Sequence, residues 1–343
     1  MEKKNVSLTK RENQVLNALV RAHVDSGLPV GSVTLSDEYD LGVSSATIRA
    51  TLASLEEKGC LQQPHTSAGR IPTECGYRQY VLQCMEGESK NTELSGHEFN
   101  SQLELQVCEG DLHAILSQIA QAIGDMSNQL GLVLPPRFDQ ALLTRVELVT
   151  LSQERILLVV SLNSGLVKSL IVECQARFSK NELQAVNRIL NERLVGLTLE
   201  DISDTVRERM QPLLDRNRVL LRSVVEEMET INRSSEIELH VAGVRNLCLQ
   251  PEFEESLQVA GLLDLAEKKD LLAQLMQDRR GVVVTIGEEH HLTPLQRCGM
   301  VTASYEVDGD IGVIGILGPT RMPYYSLMGL VKHAARRASQ LAC

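Results

Sequence analysis

The densest cluster of chemistry-bearing side chains lies in the stretch QQPHTSAGRIPT, where His65, Thr66, Ser67 and Arg70 fall close together. A hydrolytic site would use His65 as the base for Ser67. That chemistry also needs a group to orient the imidazole and walls that exclude water. The stretch holds no carboxylate, and its Pro, Gly and small polar residues are those of a solvent-facing turn. The other chemistry open to hydroxyls, amides and one guanidinium is contact with a phosphate backbone.

Other candidates resolve to structure. His290 and His291 are adjacent, and neighbouring residues on a strand point to opposite faces, so they do not share one metal ion; exposed loop histidines are expected. Gly312, Gly315 and Gly318 match neither G-x-G-x-x-G nor a Walker A loop, and Pro319 lacks the amide a phosphate would need, so these glycines are expected to permit close strand packing. Eight cysteines at 60, 75, 84, 108, 174, 248, 298 and 343 include no C-x-x-C pair, which fits reduced thiols better than a zinc ribbon or a disulfide frame. Lys332, His333, Arg336 and Arg337 form a basic face on the last helix, read as a solvated face complementing the helix dipole. The expectation is no metal, no cofactor and no enzymatic activity.

The elements flanking the polar stretch decide between the two chemistries. Thr9 and Glu12 have capping-box spacing and open a first helix that ends at Gly27-Leu-Pro29. A short second helix starts at Gly31 or Ser32, and Asp40-Leu-Gly42-Val43 forms a tight turn. Ser44 or Ser45 then caps a third helix, Ala46 to Lys58, stopped by Gly59. Its inward stripe is Ile48, Leu52 and Leu55; its outward face is Ser45, Thr47, Arg49, Ala50 and Ala53. Two helices joined by a glycine-containing turn make a helix-turn-helix, whose second helix enters a major groove. Small side chains permit close approach, and an arginine pairs bidentately with guanine. A plain three-helix bundle gives the same pattern. Cys60–Gln63 and Arg70–Pro72 then read as a hairpin with Pro64 to Gly69 as its tip, which turns the unit into a winged helix. Thr73 caps the next helix, Glu74 to Met85.

Bulk composition is compatible with this. The 343 residues predict two or three domains. Aromatics are 3% and Trp is absent, which argues against stacking single-stranded bases. The net charge of −11 argues against non-specific coating of nucleic acid. Residues 1–84 hold nine basic and nine acidic side chains, so the whole excess of negative charge lies beyond them. No apolar leader or membrane-length run is present, and a cytoplasmic protein is expected.

Beyond a polar linker at 86–100, Leu103 to Leu130 reads as a helix and Leu132–Pro136 as a strand. Val146–Leu151, Arg155–Leu162 and Val167–Cys174 read as an antiparallel meander. Ser179 and Glu182 form a second capping box, followed by helices to about Ile231. Leu221, Val224, Met228 and Ile231 make a stripe that serves either a core or a subunit contact registered by Asn217. Ile237–Leu247 reads as a strand, Glu254–Met276 as a helix, and Gly281–Gly287, Met300–Val307 and Ile311–Leu317 as strands before a final helix from about Tyr324.

The run GLPVGSVTLSDEYDLGVSSATIRATLASLEEKGCLQQPHTSAGRIPTECGYRQYV resembles the HrcA family of heat-inducible transcription repressors, as do VVVTIGEEH (282–290) and Gly318-Pro-Thr-Arg-Met322 with Tyr324. The resemblance implies an α+β multidomain chain. Its parts would be a winged helix-turn-helix over 1–85, a GAF-like domain from 86–139 and 233–343, and an inserted dimerisation domain over 140–232. It implies a dimeric repressor of chaperone operons on an inverted-repeat operator in double-stranded DNA, assisted by the GroEL chaperonin, with no membrane partner. The expected DNA-binding residues are Ser32, Thr34, Ser44, Ser45, Thr47, Arg49, His65, Thr66, Ser67 and Arg70. The expected dimer contacts are Leu221, Val224, Met228, Arg321 and Tyr324. Val33 and Ala50 depart from the family, which usually carries Lys and Asn at these places. A ligand-responsive regulator, sensing a small molecule through the GAF-like domain, is the alternative.

Overall fold

The computed structural model describes residues 6–65, 68–86, 112–136, 141–152, 154–163, 167–174, 178–214, 219–229, 239–253, 261, 263–264, 266–307 and 309–341. The linker expected at 86–100 lies outside these residues almost entirely, and so do Thr66, Ser67, Asn217 and Ile231.

The Thr9 hydroxyl accepts from the Glu12 amide while the Glu12 carboxylate accepts from the Thr9 amide, and this capping box opens α1 (Lys10–Ser26). After α2 (Ser32–Glu38), the chain turns through Gly42 at φ +63° into α3 (Ser45–Glu57). Ile48, Leu52 and Leu55 are buried beneath it. Glu12 also accepts from Ser54 Oγ at 2.9 Å and Lys58 Nζ at 2.8 Å, so one carboxylate ties α1 to both ends of the α3 exit. Burial pushes its carboxyl up, but the bonds from Lys58, the Thr9 amide and Ser54 outweigh it and hold the group at about 2.

Strands β1 (Leu61–Gln62) and β2 (Ile71–Pro72) pair antiparallel. Arg70 exchanges two backbone bonds with Val30, at 2.9 and 2.8 Å, which pins the hairpin to the segment between α1 and α2. Helix α4 (Glu74–Glu86) follows.

The second layer begins with α5 (Leu112–Ser127) and β3 (Leu130–Leu134). The chain leaves it for a meander, β4 (Leu143–Thr150), β5 (Arg155–Leu162) and β6 (Val167–Glu173), and three helices, α6 (Lys180–Leu194), α7 (Leu199–Leu214) and α8 (Val219–Glu229). It returns as β7 (His240–Ala242), α9 (Val244–Cys248), α10 (Lys269–Met276), β8 (Val282–Ile286), β9 (Cys298–Val307), β10 (Asp310–Pro319) and α11 (Tyr324–Leu341). The five-stranded sheet runs β7-β3-β10-β9-β8 and is antiparallel throughout. The expected strand over 237–247 is corrected within its described part. Gly243, at φ +80°, breaks it, and its carbonyl accepts from the Asn246 and Leu247 amides to start α9.

Helices α5 and α11 cover one face of this sheet, in a core continuous with the N-terminal unit: Leu16, Leu19, Tyr77 and Val81 share it with Ile119 and Val331. Leu272 and Met276 of α10 cover the other face. On β10, the space a Cβ would take at Gly312, Gly315 and Gly318 is filled by Tyr305, Met276 and Gln129 respectively, so these glycines permit packing.

The meander has its own core, closed on one side by α6, α7 and α8. Leu221, Val224 and Met228 are fully buried in it. Their expected place at a subunit contact is corrected, because each side chain is already spent covering the chain's own sheet. Among the described residues, no helix is long and apolar enough to cross a membrane.

Candidate nucleic-acid interface

Helix α3 presents Ala46, Arg49, Ala50 and Ala53 to solvent. The Arg49 guanidinium is exposed and has no hydrogen-bond or ion-pair partner among the described residues. Val33, on α2, is 64% exposed, so both departures from the family pattern, Val33 and Ala50, sit on the open surface. Thr34 is exposed beside Val33.

The hydroxyls at the helix starts have structural partners. Ser44 is the N-cap of α3, accepting from the Thr47 amide at 3.3 Å, with the Thr47 hydroxyl 3.0 Å from its own. Ser45 donates to Ser32 at 3.3 Å, bringing the starts of α2 and α3 together. Neither helix has an acidic residue in its first turn, so no first-turn carboxylate offsets the positive end of either dipole. Ser32, Ser44, Ser45 and Thr47 thus form one group, and Arg49 lies next to it along α3.

His65 is exposed at the hairpin tip, where its carbonyl accepts from the Ala68 amide at 2.9 Å. Arg70 is closer to the protein. Its Nε donates to Glu56 Oε2 at 3.0 Å, and a second guanidinium nitrogen lies 2.9 Å from the same oxygen. The hairpin is therefore braced against the last turn of α3. Glu56 was missed by sequence reading; its place on α3 made it one more surface acid.

The opposite side of the unit docks on the five-stranded sheet. Arg78 of α4 donates to Glu289 Oε1 at 2.8 Å and to the Val284 carbonyl at 3.0 Å. The Glu74 carboxylate accepts from the Glu288 amide at 3.1 Å, and Gly287, at φ +56°, leaves no room for a side chain beside it. Arg321 reaches the Val24 carbonyl at 2.8 Å and pairs with Glu252 at 2.5 Å. Tyr324 is fully buried, with its ring 5.9 Å from that of Tyr77. Arg321 and Tyr324, expected to meet a second copy, both take part in this junction within one chain. His290 follows Glu289 and is buried, not exposed as expected. Burial, with Arg279, Arg78 and His291 adding, lowers its imidazole to about 4. No local pattern could have paired Arg78 with Glu289, 211 residues away.

Comparisons with known proteins agree along the whole length. The family model for the HrcA protein C-terminal domain matches residues 113–328. The chain is 35% identical over 345 residues to the heat-inducible transcription repressor HrcA of Chlorobium phaeobacteroides, covering 97% of each. It is 33% identical over 335 residues to the protein of the same name from Natranaerobius thermophilus, covering 96% of each. A crystal structure of a hypothetical protein shares the fold, with a TM-score of 0.67 at 22% identity over 98% of both chains.

Proposed function

This chain belongs to the HrcA family of heat-inducible transcription repressors, and from that premise we propose that it represses chaperone operons by binding an inverted-repeat operator as a dimer. The observation that carries the reading is the exposed Arg49, without a partner among the described residues, beside Ala46, Ala50 and Ala53 on the outer face of α3, with two helix starts that lack first-turn acids on one side of it. On this reading α1 to α4 with the hairpin are a winged helix-turn-helix, and α3 is the recognition helix. Arg49 reads a base edge. Ser32, Thr34, Ser44, Ser45 and Thr47, with the helix amides, hold phosphates. The tip residues His65, Thr66 and Ser67 follow the backbone beside the groove. Arg70, oriented by Glu56, offers its remaining N–H groups to a phosphate.

The dimer follows from the operator's symmetry, each copy reading one half-site. Since Leu221, Val224 and Met228 are spent in the core, the contact is assigned to the uncovered face of the meander. There Val149, Leu157 and Ile171 stand in one cross-strand row, with Val159 and Val167 beside it; Val149, Val167 and Ile171 are exposed and the other two half-buried. Joining two modest modules raises affinity through effective concentration, which offsets the neutral charge of the N-terminal unit. The chaperonin GroEL is the proposed helper that keeps the repressor DNA-competent, and the cytoplasm its proposed place. The five-stranded sheet with α5 and α11 is read as GAF-like.

Footprinting on DNA upstream of the host's chaperone operons, with and without chaperonin, tests the proposal. Protection of two symmetric half-sites, strengthened by chaperonin, is expected; no protection overturns it. A ligand-responsive regulator is the second reading. It is favoured by a groove of about 430 Å³ between β9 and α11, lined by Ser304, Tyr305, Lys332 and Arg336 among others. A metabolite that raises the melting temperature by mass action would support it.

A further inference from the structure

Two thiols behind the hairpin take no part in DNA contact. Cys60 leads out of α3 into β1, and Cys75 lies in the first turn of α4. Their Sγ atoms are 3.7 Å apart. Cys60 is fully buried and Cys75 half-buried. The backbone around them is held from both sides. The Thr73 amide donates to the Cys60 carbonyl at 3.1 Å, the Thr73 hydroxyl donates to the Gly59 carbonyl at 2.7 Å, and Gly76 packs so closely on the Cys60 carbonyl that any side chain there would collide with it. The sulfurs are thus kept in contact by fixed elements, which is the proximity that thiol coupling requires.

We propose that Cys60 and Cys75 form a redox-modification site that closes to a disulfide when the protein meets hydrogen peroxide. Cys75, the half-buried thiol, reacts first. Its sulfur attacks a peroxide oxygen, the O–O bond breaks, and a sulfenic acid and water result. The Cys60 sulfur then attacks the Cys75 sulfur, the S–S bond forms and the S–O bond breaks. The hydroxide that leaves takes up the Cys60 proton as a second water. Two thiols are oxidised by two electrons and one peroxide is reduced. Burial, with the charge and hydrogen bond of Cys75 adding and Lys58 opposing, pushes the Cys60 thiol up to about 12, so Cys60 stays protonated and leaves the first attack on peroxide to Cys75; contact between the two sulfurs, not acidity, carries the second step. A thiol reductant reverses the step by exchange. The bond would close a loop containing the whole hairpin, stapling the α3 exit to α4. Such a closure restricts the unfolded chain, so the oxidised N-terminal unit keeps its fold to higher temperature.

The test uses the reduced full-length protein, treated with hydrogen peroxide, quenched with an alkylating reagent and digested without reductant. Mass spectrometry is expected to find one cross-linked peptide pair joining Cys60 to Cys75. The melting temperature is expected to rise and to return with dithiothreitol. Cys75→Ser should abolish both effects; Cys60→Ala should leave Cys75 to over-oxidise to sulfinic acid. A wild-type Cys75 that over-oxidises while Cys60 is alkylated, a cross-link to any other cysteine, or an unchanged melting temperature overturns the proposal. None of these readouts involves DNA, so their failure is separable from failure of the operator reading.

Discussion

At the scale of single residues, two side chains stand out for opposite reasons. Arg49 is exposed and has no partner among the described residues, as the proposed base contact requires. Arg49→Ala is expected to weaken operator binding by about 1–3 kcal/mol and to blur sequence preference. Gel shifts on operator and scrambled DNA measure this, and an unchanged specificity ratio would rule out base reading. His290 is buried beside the junction and neutral, with its pKa lowered to about 4 from the ordinary 6.5. The unfolded chain binds this proton more readily, so the stability His290 contributes is complete above about pH 6.5 and is lost as pH falls toward 4. Between pH 7 and pH 5 the loss is about 2 kcal/mol. His23, lowered by burial and further by Arg321 against a bond to the Leu28 carbonyl, acts in the same sense. Glu74, raised by burial, acts in the opposite sense. Glu12 stays ionised across the window. Melting temperatures of wild type and His290→Gln from pH 7 to 5 isolate the term. The variant is expected to show the shallower decline, and parallel curves would refute it.

Elements give these residues their positions. Helix α3 faces outward because Glu12 and Lys58 lock its exit to α1 while Ile48, Leu52 and Leu55 fill its underside. The hairpin is fixed relative to α3 by the Arg70–Glu56 pair and by the Val30 bridge. Arg70→Ala is therefore expected to weaken operator and scrambled DNA alike and to lower the salt slope of binding by about one. Glu56→Gln, which removes only the orienting carboxylate, should leave the slope in place. If Arg70→Ala does not change the slope, its role is confined to bracing. Much at this scale was legible beforehand. Both capping boxes, the meander and the first three helices are local patterns set by neighbours within one turn or one hairpin. The strand expected through Gly243 failed because a single left-handed residue ended it, and periodicity does not register φ.

For the whole molecule, the N-terminal unit and the sheet share one core, clasped by Arg78–Glu289, the Arg321 bond to the Val24 carbonyl and the Glu74 contact with the Glu288 amide. The meander stands apart with a core of its own, and its uncovered face carries the row Val149, Leu157 and Ile171 among charged and polar neighbours such as Arg145 and Glu147. If that face joins two copies, Ile171→Asp should convert the dimer to monomer in analytical ultracentrifugation and reduce operator affinity by the lost bivalency. A dimer that persists would place the contact elsewhere. The clasp sets the direction in which α3 points relative to the five-stranded sheet.

The sequence by itself determined the capped helices, the hairpin, most strand segments along the chain and the family, because these rest on short-range periodicity, turn chemistry and contiguous motifs. Only the tertiary structure decided what each conspicuous side chain faces. Arg321 and Tyr324 turned inward to a junction, the stripe from Leu221 to Met228 turned to its own sheet, Arg70 found Glu56, and His290 lost its solvent. Each of these outcomes depends on which distant surface is brought opposite, as with Arg78 and Glu289 across 211 residues, and no local pattern encodes that.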